Sequence, residues 1–337
     1  MSGVDRRSLL AMIAGSSLLQ ACARVAAPPA PPGPPPAPAG APGTAPDRAL
    51  MVPVTGGRIY VRVNGDLAGP RPPLLLAHGG PGGHHGSLMP ALGLAGDRAI
   101  ILYDQLDSGR SDRPGDPANW RPERFASEVR EIASALGLGR FHLLGHSWGA
   151  TVALEYASRR PNSLASLILQ GPLISTRAWI EDAARLKAQL PREVAATIDH
   201  CERKRSGPGP ECKAAEDAFY ARFWRLRPPP PWIESYEKAA GLASNGAIYN
   251  AMWGSSEFSA TGTLRHYDGE PLLPRLAMPT LFLIGDSDEV TEATARRFSR
   301  AAPKAEVRVI RDAAHRIQTD QPALWVQALE TWLRRHD

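Results

Sequence analysis

Several common functional signatures are missing from the 337-residue sequence. No basic stripe with interleaved aromatics occurs. Its 39 Lys and Arg against 34 Asp and Glu give a net charge of +5, and they are scattered apart from Arg203-Lys204-Arg205 and the helix ends. That pattern reads as a solvated surface and argues against nucleic-acid binding. No cluster has metal-ligand spacing, and the adjacent His84 and His85 lack partners for one. The glycine-rich stretch at 78–83 has no following Lys-Ser or Lys-Thr and no G-x-G-x-x-G spacing, so it does not read as a phosphate cradle. No internal repeat is evident. The apolar run Leu9–Leu19 is too short to anchor in a bilayer. What remains, with 43% hydrophobic and 22% charged residues, is a soluble globular composition. A chain of this length folds as one large domain or as a core with an insertion.

The first 22 residues read as an export signal. Arg6-Arg7 precedes the apolar run, as in a positive n-region, and the pair resembles a twin-arginine signal. Leu19-Gln20-Ala21-Cys22 resembles a bacterial lipobox, in which the cysteine is lipidated and becomes the new N-terminus. The alternative is ordinary cleavage with Cys22 incidental. The lipobox reading predicts an exported protein, lipid-anchored to a bacterial membrane and facing the periplasm or exterior. Ala23, in place of an aspartate, leans toward the outer membrane. Residues 23–48 are dominated by Pro, Ala and Gly, which favours extended polyproline II and a semi-rigid spacer. Of the 3 cysteines, Cys201 and Cys212 remain to pair in an oxidising compartment across the turn Ser206–Pro210.

Beyond the spacer, short apolar runs alternate with helical stretches. Gly57–Val63 alternates with period two, as an early antiparallel strand does. Leu74–Ala77, Ala99–Tyr103, Phe141–Leu144, Leu164–Leu169, Thr280–Ile284 and Glu306–Ile310 read as strands of a mostly parallel sheet buried on both faces. Glu123–Leu136, Thr151–Arg159 and Ala323–Leu333 read as helices. This alternation predicts a doubly wound α/β fold. Residues 176–270 break the rhythm with charge, Trp and Pro. They predict a mainly helical cap, with Thr176–Leu190 and Ala214–Arg225 helical, inserted between core segments 49–175 and 271–337.

Gly145-His146-Ser147-Trp148-Gly149 is a G-x-S-x-G motif between a strand and a helix, the context of a nucleophile elbow on Ser147. A serine hydroxyl needs a base. In this architecture the acid and then the histidine follow the serine in the chain. His200 and His266 fall in the cap, and His336 is penultimate, where chains fray. His315, in a loop after a strand, is left as the base. Asp286 and Asp288 both follow the strand Thr280–Ile284. Asp288 is preferred because it lies farther along the loop, and Asp286 is assigned to the turn. His78–Gly83 can bring backbone N–H groups to an oxyanion, with Gly80 and Trp148 as the donors.

Together HGGPGG, YDQLDSGRSD, GHSWGA, the segment Tyr249–Phe258 and GDSDE with a later His resemble the proline iminopeptidases. The likeness is nearest to the tricorn-interacting aminopeptidase and the amino-acid amidases, and it runs from about Leu50 to the end. It implies an α/β-hydrolase that releases N-terminal residues from peptides or hydrolyses amino-acid amides, with no cofactor. By motif position it also implies that Glu257 and Glu289 hold the substrate's free α-amino group. The sequence departs from the family pattern at Leu106–Ser111 and at Trp253-Gly254-Ser255, where Trp253 is placed to reshape the pocket for the first side chain. Two alternatives stay open: an esterase or lactonase with the same triad and no amino-group recognition, and a non-catalytic lipoprotein binding a peptide through its cap.

Overall fold

The computed structural model describes residues 44–204 and 209–337. The export signal, Cys22 and the spacer up to residue 43 lie outside the described residues, as do residues 205–208 of the turn between the two later cysteines.

An eight-stranded sheet forms the frame. Its strands are β1 (Arg48–Val54), β2 (Gly57–Asn64), β3 (Leu74–Ala77), β4 (Ile100–Tyr103), β5 (Phe141–His146), β6 (Leu164–Gln170), β7 (Thr280–Ser287) and β8 (Ala305–Ala314). They lie in the order β1-β2-β4-β3-β5-β6-β7-β8. The β1–β2 and β2–β4 pairs are antiparallel and the rest are parallel. Alternate residues of each central strand feed opposite cores. Leu75, Ile101, Leu143, Leu169 and Phe282 join one, while Leu74, Leu76, Leu102, Leu144, Ile168 and Leu283 join the other. Both faces are therefore dry, which is why these strands are unbroken apolar runs.

Helices α1 (Pro122–Ala135) and α2 (Trp148–Ala157) cover the first face through Phe125, Val129, Val152 and Leu154. The cap holds α3 (Thr176–Lys187), α4 (Arg192–Lys204), α5 (Pro210–Phe223), α6 (Pro231–Ala239) and α7 (Gly246–Met252). Helix α8 (Glu292–Ala301) packs Phe298 on the first face, and the short α9 (Ile317–Asp320) and α10 (Pro322–Arg335) close the other through Trp325, Leu329 and Trp332. Ser175 and Asp268 form an isolated antiparallel bridge, so the chain leaves the core for the cap and returns at one point. Leu186, Ile198, Phe219 and Phe223 make a small core of the cap's own. Among the described residues no helix is long and apolar enough to cross a membrane.

Two expectations are corrected. The spacer does not reach residue 48, because the Asp47 N–H donates to the Val63 carbonyl at 2.9 Å and β1 starts at Arg48. The C-terminus is not frayed. The Asp337 carboxylate accepts from the buried Arg98 at 2.7 Å and from Arg71 at 2.6 Å, and the His336 ring packs on Trp332 with centroids 4.3 Å apart.

Candidate active site

Strand order reverses between β3 and β5, whose carboxyl ends open a crevice between them. Ligands of open α/β sheets bind at such a switch point. Ser147 sits there, directly after β5, with φ 58° and ψ −121°. A non-glycine residue held at positive φ costs roughly 1–3 kcal/mol, so the surroundings must impose it. The flanking glycines let them do so. A Cβ on Gly145 would lie 2.2 Å from the Gly149 carbonyl oxygen, and one on Gly149 would lie 2.2 Å from that of Ala77. Strand, helix and neighbouring strand thus meet at backbone contact. The Ser147 N–H donates to the Gln170 carbonyl at 2.9 Å, which ties the elbow to the end of β6.

His315 follows β8, and its Nδ1 lies 2.8 Å from Asp288 Oδ1. Asp288 is buried and also accepts the N–H groups of Gly285 and Val290, both at 3.2 Å. Asp286 is exposed and accepts the Ala313 N–H at 3.3 Å, so Asp288 is the carboxylate that reaches the imidazole. The cap supports the histidine from above. The Phe223 and Trp224 carbonyls accept the His315 and Arg316 N–H groups, and the Trp179 ring meets His315 edge-on at 5.6 Å. His146 stacks at 4.8 Å from His315, and burial pushes its pKa well below the usual histidine range, so this neighbour stays neutral.

Gly171 went unnoticed in the sequence, where Gly171-Pro172 reads only as a turn. It has φ +48°, and a Cβ there would lie 2.6 Å from His315 Nδ1 and 3.3 Å from Asp288 Oδ1. Gly171→Ala is therefore expected to displace the imidazole and cut kcat about 10²-fold, since displacements near 1 Å cost that much. Steady-state kinetics beside an unchanged far-UV circular dichroism spectrum would check this.

The loop at 78–83 lies over the elbow, and a Cβ on Gly79 would sit 3.1 Å from Ser147 Cβ. Trp148 is the first residue of α2, so its N–H has no acceptor inside the helix. The Gly80 N–H has no partner among the described residues. Gln105 ties the start of this loop to the first residue of α2. Its amide donates to the His78 carbonyl at 2.8 Å, and its carbonyl oxygen accepts the Trp148 indole N–H at 2.8 Å. Asp104 holds the far end of the loop, accepting the His85 N–H at 2.7 Å and the Arg110 N–H at 2.9 Å. Burial alone would raise its pKa, but the His85 imidazole and these N–H groups hold it well below the usual carboxylate range. His85 also meets Tyr236 of α6 at 2.7 Å, whereas His84 Nδ1 is buried without a hydrogen-bond partner, 3.9 Å from Glu237. Among the described residues no group of side chains could hold a metal ion.

Ser147, His315, Glu257 and Glu289 line one cavity of about 500 Å³. Tyr249 donates its hydroxyl to Glu257 Oε1. Glu289 is buried, with Oε2 3.7 Å from His315 Nε2. Burial raises the pKa of Glu257 against the opposing Tyr249 hydrogen bond and the His315 charge. It raises that of Glu289 further, helped by the charges of Glu257 and Asp288. Trp253 is also buried at this wall and packs edge-on against Trp179, 6.2 Å between centroids. The arrangement suits a substrate that brings a positive charge to the two carboxylates while presenting a carbonyl to Ser147.

The segment carrying Glu257 is braced by the cap. Ser256 and Ser259 donate their hydroxyls to Glu202, each at 2.6 Å. Glu202 adjoins Cys201, which is disulfide-bonded to Cys212 with Cα atoms 5.9 Å apart. Reduction, or the Cys201→Ser/Cys212→Ser pair, is expected to destabilise the cap by roughly 2–3 kcal/mol, the scale for a short closed loop. KM should rise more than kcat falls, because the brace acts on the acidic wall and not on Ser147. Denaturation and kinetics with and without reductant would measure both effects.

Comparison with known proteins places these features in context. Residues 72–322 match the alpha/beta hydrolase fold family. A proline iminopeptidase of Heyndrickxia coagulans is 38% identical over 283 residues, covering 84% of this chain and 97% of that protein. One from Levilactobacillus brevis is 34% identical over 291 residues, covering 85% and 96%. The crystal structure of the Mycobacterium smegmatis proline iminopeptidase superposes with a TM-score of 0.78 at 31% identity, covering 86% of this chain and 98% of that one.

Proposed function

Because the chain belongs to the proline iminopeptidase family of α/β-hydrolases and is thereby a hydrolytic enzyme, we propose that it is a serine aminopeptidase or amino-acid amidase that accepts acyl groups bearing a free α-amine. The observation that carries this reading is the pair of carboxylates, Glu257 and Glu289, in the same cavity as Ser147. A buried carboxylate beside a half-buried one, with no Lys or Arg ion pair to either among the described residues, is costly, and an incoming ammonium relieves that cost through charge-assisted hydrogen bonds.

The proposed steps use these groups in turn. Neutral His315 takes the Ser147 proton as the hydroxyl oxygen attacks the substrate carbonyl. Asp288 stabilises the resulting imidazolium and keeps its Nδ1 proton directed inward. The Gly80 and Trp148 N–H groups receive the oxyanion; one such donor is worth about 3 kcal/mol in related chemistry. His315 then protonates the leaving amine, the C–N bond breaks and an acyl-enzyme remains. Water, deprotonated by the same imidazole, releases the amino acid and restores Ser147.

Prolyl-, alanyl- and phenylalanyl-naphthylamides, each free and N-acetylated, test the reading. Cleavage of the free forms with the acetylated forms nearly inert is the expected result. Equal rates on blocked substrates, or faster turnover of short acyl esters, would overturn amino-group recognition. The rank order among the three gives the first-residue preference, which Trp253 helps to set.

We also propose that the enzyme works outside the cytoplasm, tethered through a lipid on Cys22. The paired arginines, the apolar run and Leu19–Cys22 support this. Incorporation of a clickable fatty acid into the wild type and its loss in Cys22→Ala would establish the tether. Equal labelling of both would sink it.

A further inference from the structure

The cavity has a second charged end. Arg316, the residue after His315, lines it together with Trp224, His84 and Glu237. Its Nε is fully buried and has no hydrogen-bond partner. Among the described residues its guanidinium makes no ion pair within 4.0 Å; it lies over the face of Trp224, 5.2 Å from the ring centroid. Arg225 lies against the same ring, also at 5.2 Å, and is likewise without a carboxylate partner among the described residues. One indole thus carries two guanidinium groups that repel each other. Burial first, and then the Arg225 charge, lower the Arg316 pKa to about 10, against the opposing pull of Glu237. The nearby carboxylates do not neutralise the pair. Glu237 faces Arg316 but stays beyond ion-pair distance, lies 3.9 Å from His84 Nδ1, and is itself pushed up by burial. Asp320 spends its oxygens on the N–H groups of Leu226, Arg227 and Ala314.

Different charges act most strongly on each group: His315 and Glu216 on Glu257, Glu257 and Asp288 on Glu289, and Glu237, Arg225 and Asp320 on Arg316. The scissile carbonyl must lie at Ser147, which lines the same cavity as both sets of charges. A substrate whose ammonium sits at the acidic end therefore extends its leaving group toward the arginines. We propose that Arg316, assisted by Arg225, binds a carboxylate on the leaving amine, so that the preferred substrates are dipeptides or peptides with an acidic second residue. This inference rests on the aminopeptidase reading above. The shared chemistry is a carboxylate one residue beyond the cleaved bond; an α-carboxylate and an Asp or Glu side chain are its two sources. A half-buried arginine whose Nε has no other partner engages either through paired N–H donors.

The test compares kcat/KM for X-Ala, X-Ala-amide and X-Glu-amide, with X the first residue that the naphthylamides rank highest. At least one carboxylate-bearing substrate should exceed X-Ala-amide by about ten- to hundredfold, the range for a hydrogen bond to a charged group. The arm that wins identifies the source. In Arg316→Gln that ratio should collapse to near unity, and in Arg316→Lys it should fall only in part. Arg225→Gln should lower it too, and serves if Arg316→Gln does not fold. Cleaved naphthylamides with no preference for either carboxylate would overturn the proposal and leave the aminopeptidase reading standing. A preference that survives in both Arg316→Gln and Arg225→Gln would overturn it as well. Failure to cleave any aminoacyl substrate would remove both readings.

Discussion

Ser147→Ala is expected to lower kcat by about 10⁴–10⁶-fold, the scale on which triad serines act, while leaving stability nearly unchanged. Alanine has the same backbone tolerance as serine at φ 58°, and the elbow is held by the Ser147 N–H, which donates to Gln170 and which the substitution keeps. Circular dichroism and the thermal transition should therefore match the wild type. His315→Ala should fall as far. The double variant should fall no further, because a nucleophile and its base act as a unit and their losses do not add. Asp288→Asn is expected to cost about 10⁴-fold, since the amide can favour the wrong imidazole tautomer. A fluorophosphonate probe should label the wild type at Ser147 and leave Ser147→Ala unmarked. Residual turnover near the wild-type rate in Ser147→Ala would mean that another group attacks the carbonyl.

What the sequence made legible follows from how each part is held. The central strands are dry on both sides, so Leu74–Ala77 and Phe141–Leu144 announce themselves as apolar runs. The edge strand Arg48–Val54 does not; it is partly exposed along most of its length and owes its conformation to pairing with β2. Helices α4, α6 and α7 were folded into a generic cap because their apolar residues are few and their small cores draw on distant segments. Ser147, Asp288 and His315 were readable because each follows a strand at a fixed place in the chain order. Gly171 was not, because its role depends on what lies opposite it in space. The same holds for Trp224 and Arg316, whose neighbours lie in parts of the chain that local pattern cannot join. The expectation of a frayed end failed for a related reason: Asp337 meets Arg98 and His142 from far along the chain.

Glu289→Gln is expected to move stability and activity in opposite directions. Burial and the charges of Glu257 and Asp288 raise the Glu289 pKa well above the usual range. In the unfolded chain it returns to about 4.3. A carboxyl whose folded pKa is raised contributes its full stability below the unfolded value and loses it as pH rises through the folded one. Above the unfolded value, Glu289 thus weighs increasingly against the fold as pH rises, and the isosteric neutral amide removes that cost. The melting temperature of Glu289→Gln should exceed that of the wild type at neutral pH, and the gap should close as pH falls toward the unfolded carboxyl value. Catalysis should suffer where stability gains. An ammonium substrate needs ionised carboxylate at this wall, so kcat/KM on free aminoacyl naphthylamides should drop by about 10²-fold or more, the cost of removing one member of a buried charge pair. The wild-type kcat/KM should also be bell-shaped. It falls on the acid side as the Glu257–Glu289 pair takes up protons, and on the alkaline side as the substrate amine, with a pKa of about 8, loses its own. N-acetylated substrates, already poor, should lose little further in Glu289→Gln. A variant that is both less stable and equally active would show that Glu289 belongs to the architecture of the cap junction and not to recognition of the amine.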